Sequence, residues 1–250
     1  GFLTENKRYL VESRLMRSLS RFGFSDFDQY MNALGGGDVD VLEDLLDRIT
    51  THHTLFFREP LHFEFLSQRM LPSISPDAGG KVRIWSAACS TGEEPYSIAM
   101  IAEEYRRLNP SFDYLILATD ISRRVIQHGH EACYEPSQCG EMDSRLVRRY
   151  MRPNGKYLQF VPDLRKKVHF RHLNLLSAPF PFQHKFHIIF CRNVLLYFEG
   201  ETIKQVLRNL CDALCPGGQL VVSLTERIDV RGTGFIPAGA AIFIKEEIAE

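Results

Sequence analysis

From residue 81 onward, short apolar stretches alternate with amphipathic helical patterns. Strands that alternate with helices predict a mainly parallel sheet covered by helices on both faces. The predicted strands lie in KVRIW, DYLILATD, KKVHFRHLNLL, KFHIIFCRN and QLVVSLTE, and GTGFIPAGAAIFIKEE predicts an antiparallel edge. Helices are predicted in EEPYSIAMIAEEYRRL, in ISRRVIQHGHEACY and in GETIKQVLRNLCDALCPGG, where the glycine pair predicts the helix stop. We therefore expect an α/β fold whose ligand binds at the carboxyl ends of the strands.

Two segments depart from this alternation. Residues 1–50 have helical patterns, and the first helix has one apolar stripe, formed by Val11, Leu15, Leu19 and Phe22. Residues 134–167 are rich in Arg, Pro and Gly and contain the strand-like GKYLQFV, so we interpret them as an insertion. We expect a small all-helical domain over residues 1–70 and an α/β domain over residues 71–250.

Charge and cysteine content restrict the class of protein. The net charge of −1 favours neither nucleic acid nor membrane surfaces. No apolar run approaches the roughly 20 residues of a membrane helix, and no secretory signal is visible. The six cysteines form no C-x-x-C pair, which predicts a reduced, cytoplasmic protein. Four neighbouring residues fit no standard zinc spacing, so we predict no metal site: His128, His130, Cys133 and Cys139.

The stretch SAACSTGEEPYS, which follows the first predicted strand, indicates the ligand. It contains one glycine, Gly92, and lacks the glycines or lysine that a phosphate site needs. Glu94 follows in this stretch, and Asp120 ends the second strand, where it can accept hydrogen bonds from ribose hydroxyls or cap the next helix. Asn174 and Leu175 suit an adenine edge and face. A nucleoside that carries an amino acid and a positive charge fits, and S-adenosylmethionine is such a ligand.

Several sequence blocks resemble, in order, the signature blocks of the CheR-type chemotaxis receptor methyltransferases. They are ITTHHTLFFREPLHFEFL, VRIWSAACSTGEEPYSIAM, ILATDIS, HLNLL and IIFCRNVLLYF. The resemblance covers essentially the whole chain. It implies a Rossmann-like methyltransferase domain with a small β-subdomain insertion near residues 134–167, a small all-helical N-terminal domain, and a first helix that precedes residue 1. The implied reaction transfers methyl from S-adenosylmethionine to glutamate side chains of chemoreceptor cytoplasmic helices.

The resemblance also implies roles for individual residues. Arg58 and Tyr197 would flank the methyl group, although Arg58 could instead pair with Glu59 or Glu64, and Tyr197 could be a packing residue. The implied cofactor contacts are His52, Thr54, Arg58, Glu94, Asp120, Asn174, Leu175, Arg192 and Asn193. His52 replaces the family's usual asparagine, and SLTE at residues 223–226 replaces the usual G-H-S-E.

The substrate side of the molecule gives further predictions. Arg14, Arg17 and Arg21 lie on one face of the first helix, either as a solvated face or as a docking surface for acidic receptor helices. We expect a monomer whose partner is the chemoreceptor cytoplasmic domain. Asn154-Gly155 predicts a tight hairpin in the insertion, which disfavours capture of a receptor tethering peptide there. Two alternatives remain: a non-catalytic nucleoside-binding module, or a methyltransferase for another protein or a small molecule.

Overall fold

The computed structural model describes residues 15–49, 53–74 and 80–246. Val11, Arg14 and His52 lie outside the described residues. The contacts divide the chain into two compact units. The first unit ends at His53 and also includes Ser122–Arg124, and the second begins at Thr54.

The first unit is helical. Residues 15–22 form the described part of α1, followed by α2 (Phe27–Gly35) and α3 (Val39–Ile49). Helix α1 ends just before Gly23, whose left-handed φ of 70° is the conformation that glycine commonly supplies after a helix. A small core buries one side of these helices, formed by Leu15, Leu19, Tyr30 and Val41. The predicted positions Leu15 and Leu19 are therefore confirmed as core residues.

Within the residues that the structure describes, the second unit has ten strands in two sheets. They are β1 (Val82–Ala87), β2 (Tyr114–Asp120), β3 (Cys133–Tyr134), β4 (Met151–Asn154), β5 (Tyr157–Phe160), β6 (Val168–His172), β7 (Phe186–Cys191), β8 (Leu214–Val221), β9 (Phe235–Gly239) and β10 (Ile242–Lys245). The large sheet has the order β6-β2-β1-β7-β8-β10-β9. Its first five strands pair in parallel, and β10 pairs antiparallel with β8 and β9. The mainly parallel sheet with an antiparallel edge is thus confirmed.

Helices precede, separate and connect these strands along the chain. They are α4 (Pro60–Phe65), α5 (Leu71–Ser73), α6 (Glu93–Leu108), α7 (Arg123–Glu131), α8 (Ser144–Tyr150), α9 (Pro162–Arg165) and α10 (Gly200–Ala213). A π-helical stretch, Leu66–Met70, joins α4 to α5. The side chains of β1 and β7 are almost all buried, as expected for central parallel strands. Trp85 of β1 is fully buried against the rings of Phe180, Phe182 and Phe186.

The insertion forms the small antiparallel sheet β3-β5-β4. Its β4–β5 hairpin pairs Asn154 with Tyr157, so only Gly155 and Lys156 form the turn. Gly155 has a φ of 59°, which the tight turn requires. The structure confirms the tight hairpin that Asn154-Gly155 predicted.

Helix α10 differs from its prediction. The sequence places its stop at the glycine pair 217–218, but α10 ends at Ala213 and Leu214 is already extended. The glycines instead lie in β8, where Gly217 has a φ of 67° and the pairing with β7 shifts register between Phe186 and Ile188. Glycine therefore marks an irregular strand start here, and not a helix stop.

Candidate cofactor site

In the turn after β1, three residues have a left-handed backbone conformation. Ala88, Ser90 and Gly92 have φ values of 64°, 49° and 103°. A Cβ on Gly92 would lie 2.7 Å from the hydroxyl oxygen of Tyr134, so this position accepts only glycine. Helix α6 begins at the next residue, Glu93. The turn therefore needs one glycine for its own conformation and packing, which fits a loop that grips no phosphate.

Asp120, the last residue of β2, faces this turn. Its Oδ2 accepts a hydrogen bond of 2.9 Å from the backbone N–H of Ser90. The adjacent Cys89 N–H donates to the carbonyl of Thr119 at 2.8 Å. These bonds hold the turn against the carboxyl end of β2, with the Asp120 carboxylate beside it.

Arg192, which follows β7, holds two carboxylates. Its Nη1 lies 2.9 Å from Glu94 Oε2, and its Nη2 lies 3.1 Å from Glu59 Oε2. Only 2% of the Arg192 side chain is exposed. Ser86 in β1 also donates to Glu94 Oε1 at 2.7 Å. Two carboxylates and one guanidinium leave this cluster with one net negative charge, which a cationic ligand can balance.

The two carboxylates of the cluster differ in their pKa shifts. Burial raises the pKa of Glu94, although Arg192 and Ser86 oppose this shift. Burial also acts to raise the pKa of Glu59, but hydrogen bonds from Ser223 and Leu224 and the charge of Arg192 outweigh it and lower the pKa overall. Glu59 is therefore held as the more stable anion of the pair.

The segment around Arg58 is fixed by backbone contacts. Phe57 and Glu59, the two neighbours of Arg58, have left-handed φ values of 54° and 60°. Such conformations cost roughly 1–2 kcal/mol per residue and persist where surrounding contacts impose them. Here the Phe57 N–H donates to Ser97 Oγ at 3.0 Å, and Arg192 Nη2 donates to the Arg58 carbonyl. The predicted catalytic residue Arg58 thus lies in a preorganised turn.

His62 is a residue of α4, it lies next to Glu59, and it is fully buried. Its Nε2 is 3.0 Å from the carbonyl of Ala240, so Nε2 carries the proton. Its Nδ1 lies 3.3 Å from Glu59 Oε2 without hydrogen-bond geometry. Burial and the charge of Arg192 lower the pKa of His62, which favours the neutral ring. His62 is therefore a supporting residue that cannot reach a substrate.

The SLTE segment closes the other side of the site. Ser223 Oγ donates to Glu59 Oε1 at 2.6 Å and accepts from Asn193 Nδ2 at 2.9 Å. Glu226 Oε2 accepts from the backbone N–H groups of Asn193 and Ser223 at 3.1 and 2.9 Å. Asn193 has a left-handed φ of 57°. Thus Ser223 and Glu226 fix both the backbone and the side chain of Asn193.

The remaining predicted residues lie in less connected positions. Asn174 follows β6 and its Oδ1 accepts from the Leu176 N–H at 2.9 Å. Leu175 is buried in the core cluster that contains Trp85. Tyr197 ends a short 3-10 turn after β7, with 54% of the residue exposed, so it is not among the buried core residues.

The structure thus links Glu94, Arg192 and Asn193 in one hydrogen-bonded network and places Asp120 at the adjoining turn. Sequence reasoning missed Glu59 as the carboxylate that binds Arg192, and Ser223 as a hydrogen-bond donor to Glu59. Glu59 ends the sequence FFRE, within the first of the blocks that resemble the family, and Ser223 begins SLTE, the segment that differs from the family's usual sequence. Both residues therefore lie in segments that the sequence analysis had identified. Their contact spans 164 positions, which no local pattern reveals.

The charges and hydrogen-bond acceptors of this site fit S-adenosylmethionine. The Glu59–Arg192–Glu94 cluster has an excess negative charge for an ammonium or sulfonium group. Asp120 offers a carboxylate to hydroxyl donors, and the one-glycine turn makes no phosphate cradle. These are the chemical requirements of a cationic nucleoside ligand.

The predicted docking residues lie in the first unit. Arg17 is exposed on α1. Arg21 Nη1 lies 2.7 Å from Asp44 Oδ1, and Asp44 also accepts from Arg48 and Ser18. Two guanidinium groups therefore share one buried carboxylate, and this cluster keeps one net positive charge.

The described residues contain neither a candidate metal cluster nor a candidate membrane-spanning helix. These residues include no group of three or more His, Cys, Asp or Glu side chains placed to hold a metal ion. Within the same part of the chain, no helix combines the length and apolarity needed to cross a membrane.

Comparisons with known proteins identify the family. Residues 52–242 match the CheR methyltransferase SAM-binding domain, and residues 2–50 match the CheR methyltransferase all-alpha domain. A chemotaxis protein methyltransferase of Borreliella burgdorferi is 38% identical over 234 residues, which cover 90% of this chain and 82% of that protein. Chemotaxis protein methyltransferase 1 of Pseudomonas aeruginosa is 35% identical, with coverage of 91% and 85%. The chemotaxis protein methyltransferase of Escherichia coli is 32% identical, with coverage of 96% and 84%. The chain therefore belongs to the CheR methyltransferase family of S-adenosylmethionine-dependent methyltransferases that act in chemotaxis.

Proposed function

We propose that this protein methylates glutamate side chains on the cytoplasmic helices of chemoreceptors, forming glutamate methyl esters. The observation that carries this proposal is that His62 and the carboxylates of the network are already engaged. His62 donates to Ala240, Glu59 and Glu94 bind Arg192, and Glu226 accepts backbone N–H groups. None of these groups is poised to take a proton from a substrate. An acceptor that is already an anion suits such a site, and glutamate has a usual pKa of about 4.3.

The reaction needs alignment more than acid–base catalysis. S-adenosylmethionine supplies a methyl group bound to a positively charged sulfur. A carboxylate oxygen forms the new bond to that methyl as the carbon–sulfur bond breaks, and no proton moves. Well-oriented reactants can lower the barrier by roughly 7–11 kcal/mol. The fixed turn at Arg58 and the anchored Asn193 support this alignment role.

We assign roles to the site residues on this basis. Arg58 orients the acceptor carboxylate with its planar guanidinium, and the exposed Tyr197 phenol hydrogen-bonds a carboxylate oxygen. Asp120 accepts from the ribose hydroxyls, and the network around Glu94 balances the positive charge of the cofactor. The remaining proposed cofactor contacts are Thr54, Asn174, Leu175, Arg192, Asn193 and, outside the described residues, His52.

The proposed partner docks on the first unit. Arg17 and the net positive Arg21–Asp44–Arg48 cluster offer charge that complements acidic receptor helices. Arg14 shares the predicted face but lies outside the described residues. A cytoplasmic receptor domain as substrate implies a cytoplasmic enzyme.

Incubation of the protein with a receptor cytoplasmic fragment and tritiated S-adenosylmethionine tests the proposal. We expect label that is released as methanol by base, and its loss when the acceptor glutamates of the fragment are changed to alanine. The Arg58→Ala variant should bind S-adenosylhomocysteine and yet transfer little label. Tight S-adenosylhomocysteine binding without label on any receptor of the same cell would refute the substrate assignment and leave the methyltransferase assignment intact.

A further inference from the structure

We propose that Ser223 is a positioning residue that sets the orientation of the Asn193 side-chain amide, so that Asn193 presents its carbonyl oxygen to a hydrogen-bond donor of the cofactor. This inference rests on the proposed contact between Asn193 and the cofactor. It does not depend on the methyl acceptor, so it can fail without affecting the proposed substrate.

The direction of the hydrogen bonds follows from Glu59. An ionised carboxylate only accepts, and Ser223 Oγ lies 2.6 Å from Glu59 Oε1, so the single hydroxyl proton of Ser223 points to Glu59. Hydrogen bonds from the Leu224 N–H at 3.1 Å and from Arg192 also favour the ionised form of Glu59. Ser223 Oγ therefore has only lone pairs left for its other neighbours.

The lone pairs of Ser223 Oγ fix the orientation of the Asn193 side-chain amide. The amide nitrogen lies 2.9 Å from Ser223 Oγ, and only the NH2 group can donate to these lone pairs. A flipped amide would place two acceptor oxygens against each other. Since the NH2 group faces Ser223, the Oδ1 atom faces the other way. It is then available to a donor such as an amino group of S-adenosylmethionine.

Burial makes Ser223 a rigid support for Asn193. Ser223 is fully buried. Thr225 also contacts the Ser223 Oγ, which lies 2.9 Å from the Thr225 hydroxyl oxygen and 3.3 Å from the Thr225 backbone nitrogen. The Asn193 backbone is held independently by Glu226, so Ser223 acts on the side chain. Ser223 thus supplies a fixed acceptor for the Asn193 amide.

Calorimetry with S-adenosylhomocysteine tests the inference on three variants. Ser223→Ala and Asn193→Ala should each weaken binding about three- to tenfold, the range of one neutral hydrogen bond. The double variant should bind no more weakly than Asn193→Ala alone, because Ser223 acts through Asn193. Ser73→Ala, which removes an exposed hydroxyl of α5 that donates to the Met70 carbonyl, serves as the matched control. Equal losses from Ser223→Ala in both backgrounds, or no loss from either single change, would overturn the proposal.

A spectroscopic measurement tests it on the unaltered protein, even if a variant fails to fold. The side-chain amide signals of Asn193 can be assigned in a nitrogen–proton correlation spectrum by comparison with Asn193→Asp. We expect one of the two amide protons to exchange slowly with solvent before ligand is added. Fast exchange of both protons would contradict the hydrogen bond to Ser223.

Discussion

The guanidinium of Arg192 donates to the carboxylate of Glu94 over 2.9 Å, in a position where only 2% of the Arg192 side chain is exposed. The parallel pairing of β1 with β7 creates this contact, because Arg192 follows β7 and Glu94 follows the turn after β1. The pair joins two of the segments for which we propose cofactor contacts. Its energetic and functional consequences can be measured separately.

Arg192→Met should destabilise the protein strongly. The change leaves Glu59 and Glu94 buried without their shared counter-charge, and loss of one partner of a buried pair costs about 3–5 kcal/mol. Urea unfolding measures the difference in unfolding free energy. Arg107→Met, at an exposed position on α6, is the control and should change it by less than about 0.5 kcal/mol. An equally small effect of Arg192→Met would show that the cluster contributes little to stability.

His62→Gln should reduce the pH dependence of stability. Burial and Arg192 lower the pKa of His62 in the folded protein, so the unfolded chain binds the proton more readily. Stability linked to His62 is therefore present above about pH 6.5 and is lost as pH falls through its folded pKa. Glutamine stays neutral and can still donate to Ala240. Unfolding free energies at pH values from about 7 to 5 should show a smaller loss for the variant.

The comparison isolates His62 because His169 and His187, whose pKa values burial also lowers, remain in both proteins. Parallel pH profiles for the variant and the unaltered protein would assign the acid sensitivity to those two residues or to the carboxylates.

Asp120→Asn should weaken S-adenosylhomocysteine binding by roughly 1.5–3 kcal/mol, the scale of a hydrogen bond to a charged group. The amide oxygen of asparagine can still accept from Ser90, so the turn should keep its conformation. Calorimetry measures the affinity, and thermal unfolding checks the fold. Unchanged affinity in a folded variant would show that Asp120 acts only within the protein.

Local patterns in the sequence were sufficient for the regular elements. EEPYSIAMIAEEYRRL was predicted as a helix and forms α6, Glu93–Leu108, because its amphipathic period and first-turn acids agree. DYLILATD was predicted as a strand and forms β2, Tyr114–Asp120. Such elements are specified by residues that are neighbours in the sequence.

The supporting residues of the site could not be predicted in the same way. Glu59 has no periodic pattern around it, and its left-handed backbone is imposed by contacts with Ser223, Leu224 and Arg192. The two-residue strand β3 lies in a stretch that reads as helical, and it forms because β5 offers a partner for Cys133 and Tyr134. In both cases, long-range contacts override the local preference.

Arg17→Glu should raise the KM for the receptor fragment several-fold and leave S-adenosylhomocysteine affinity unchanged. The exposed charge of Arg17 faces solvent in the first unit, so its reversal should act on docking alone. Arg21→Glu is a less clean test because it also breaks the pair with Asp44. Methylation kinetics at two salt concentrations should show a smaller effect at high salt. A KM that does not respond to Arg17→Glu would remove this residue from the docking surface.

The last prediction is that receptor C-terminal peptides do not bind the insertion as an added strand. The sheet order β3-β5-β4 makes β4 an edge strand. Asn154 and Tyr157 flank the two-residue turn and form a hydrogen-bonded pair. Hydrogen-bonded and non-hydrogen-bonded pairs alternate along an antiparallel ladder, so the backbone nitrogen atoms of the next pair, Pro153 and Leu158, point away from the partner strand. Pro153 has no N–H and therefore removes a donor from the outer edge, where strand addition needs it.

Titration of the protein with receptor C-terminal peptides, followed by fluorescence anisotropy, tests this expectation. We expect no saturable binding below about 1 mM, weaker than about −4 kcal/mol of binding free energy. The Pro153→Ala variant restores the outward-facing N–H. If a peptide binds as an added strand, this variant should bind it more tightly than the unaltered protein does. Micromolar binding to the unaltered protein, lost on changes in β4, would place the docking site on the insertion and remove the argument for the first unit.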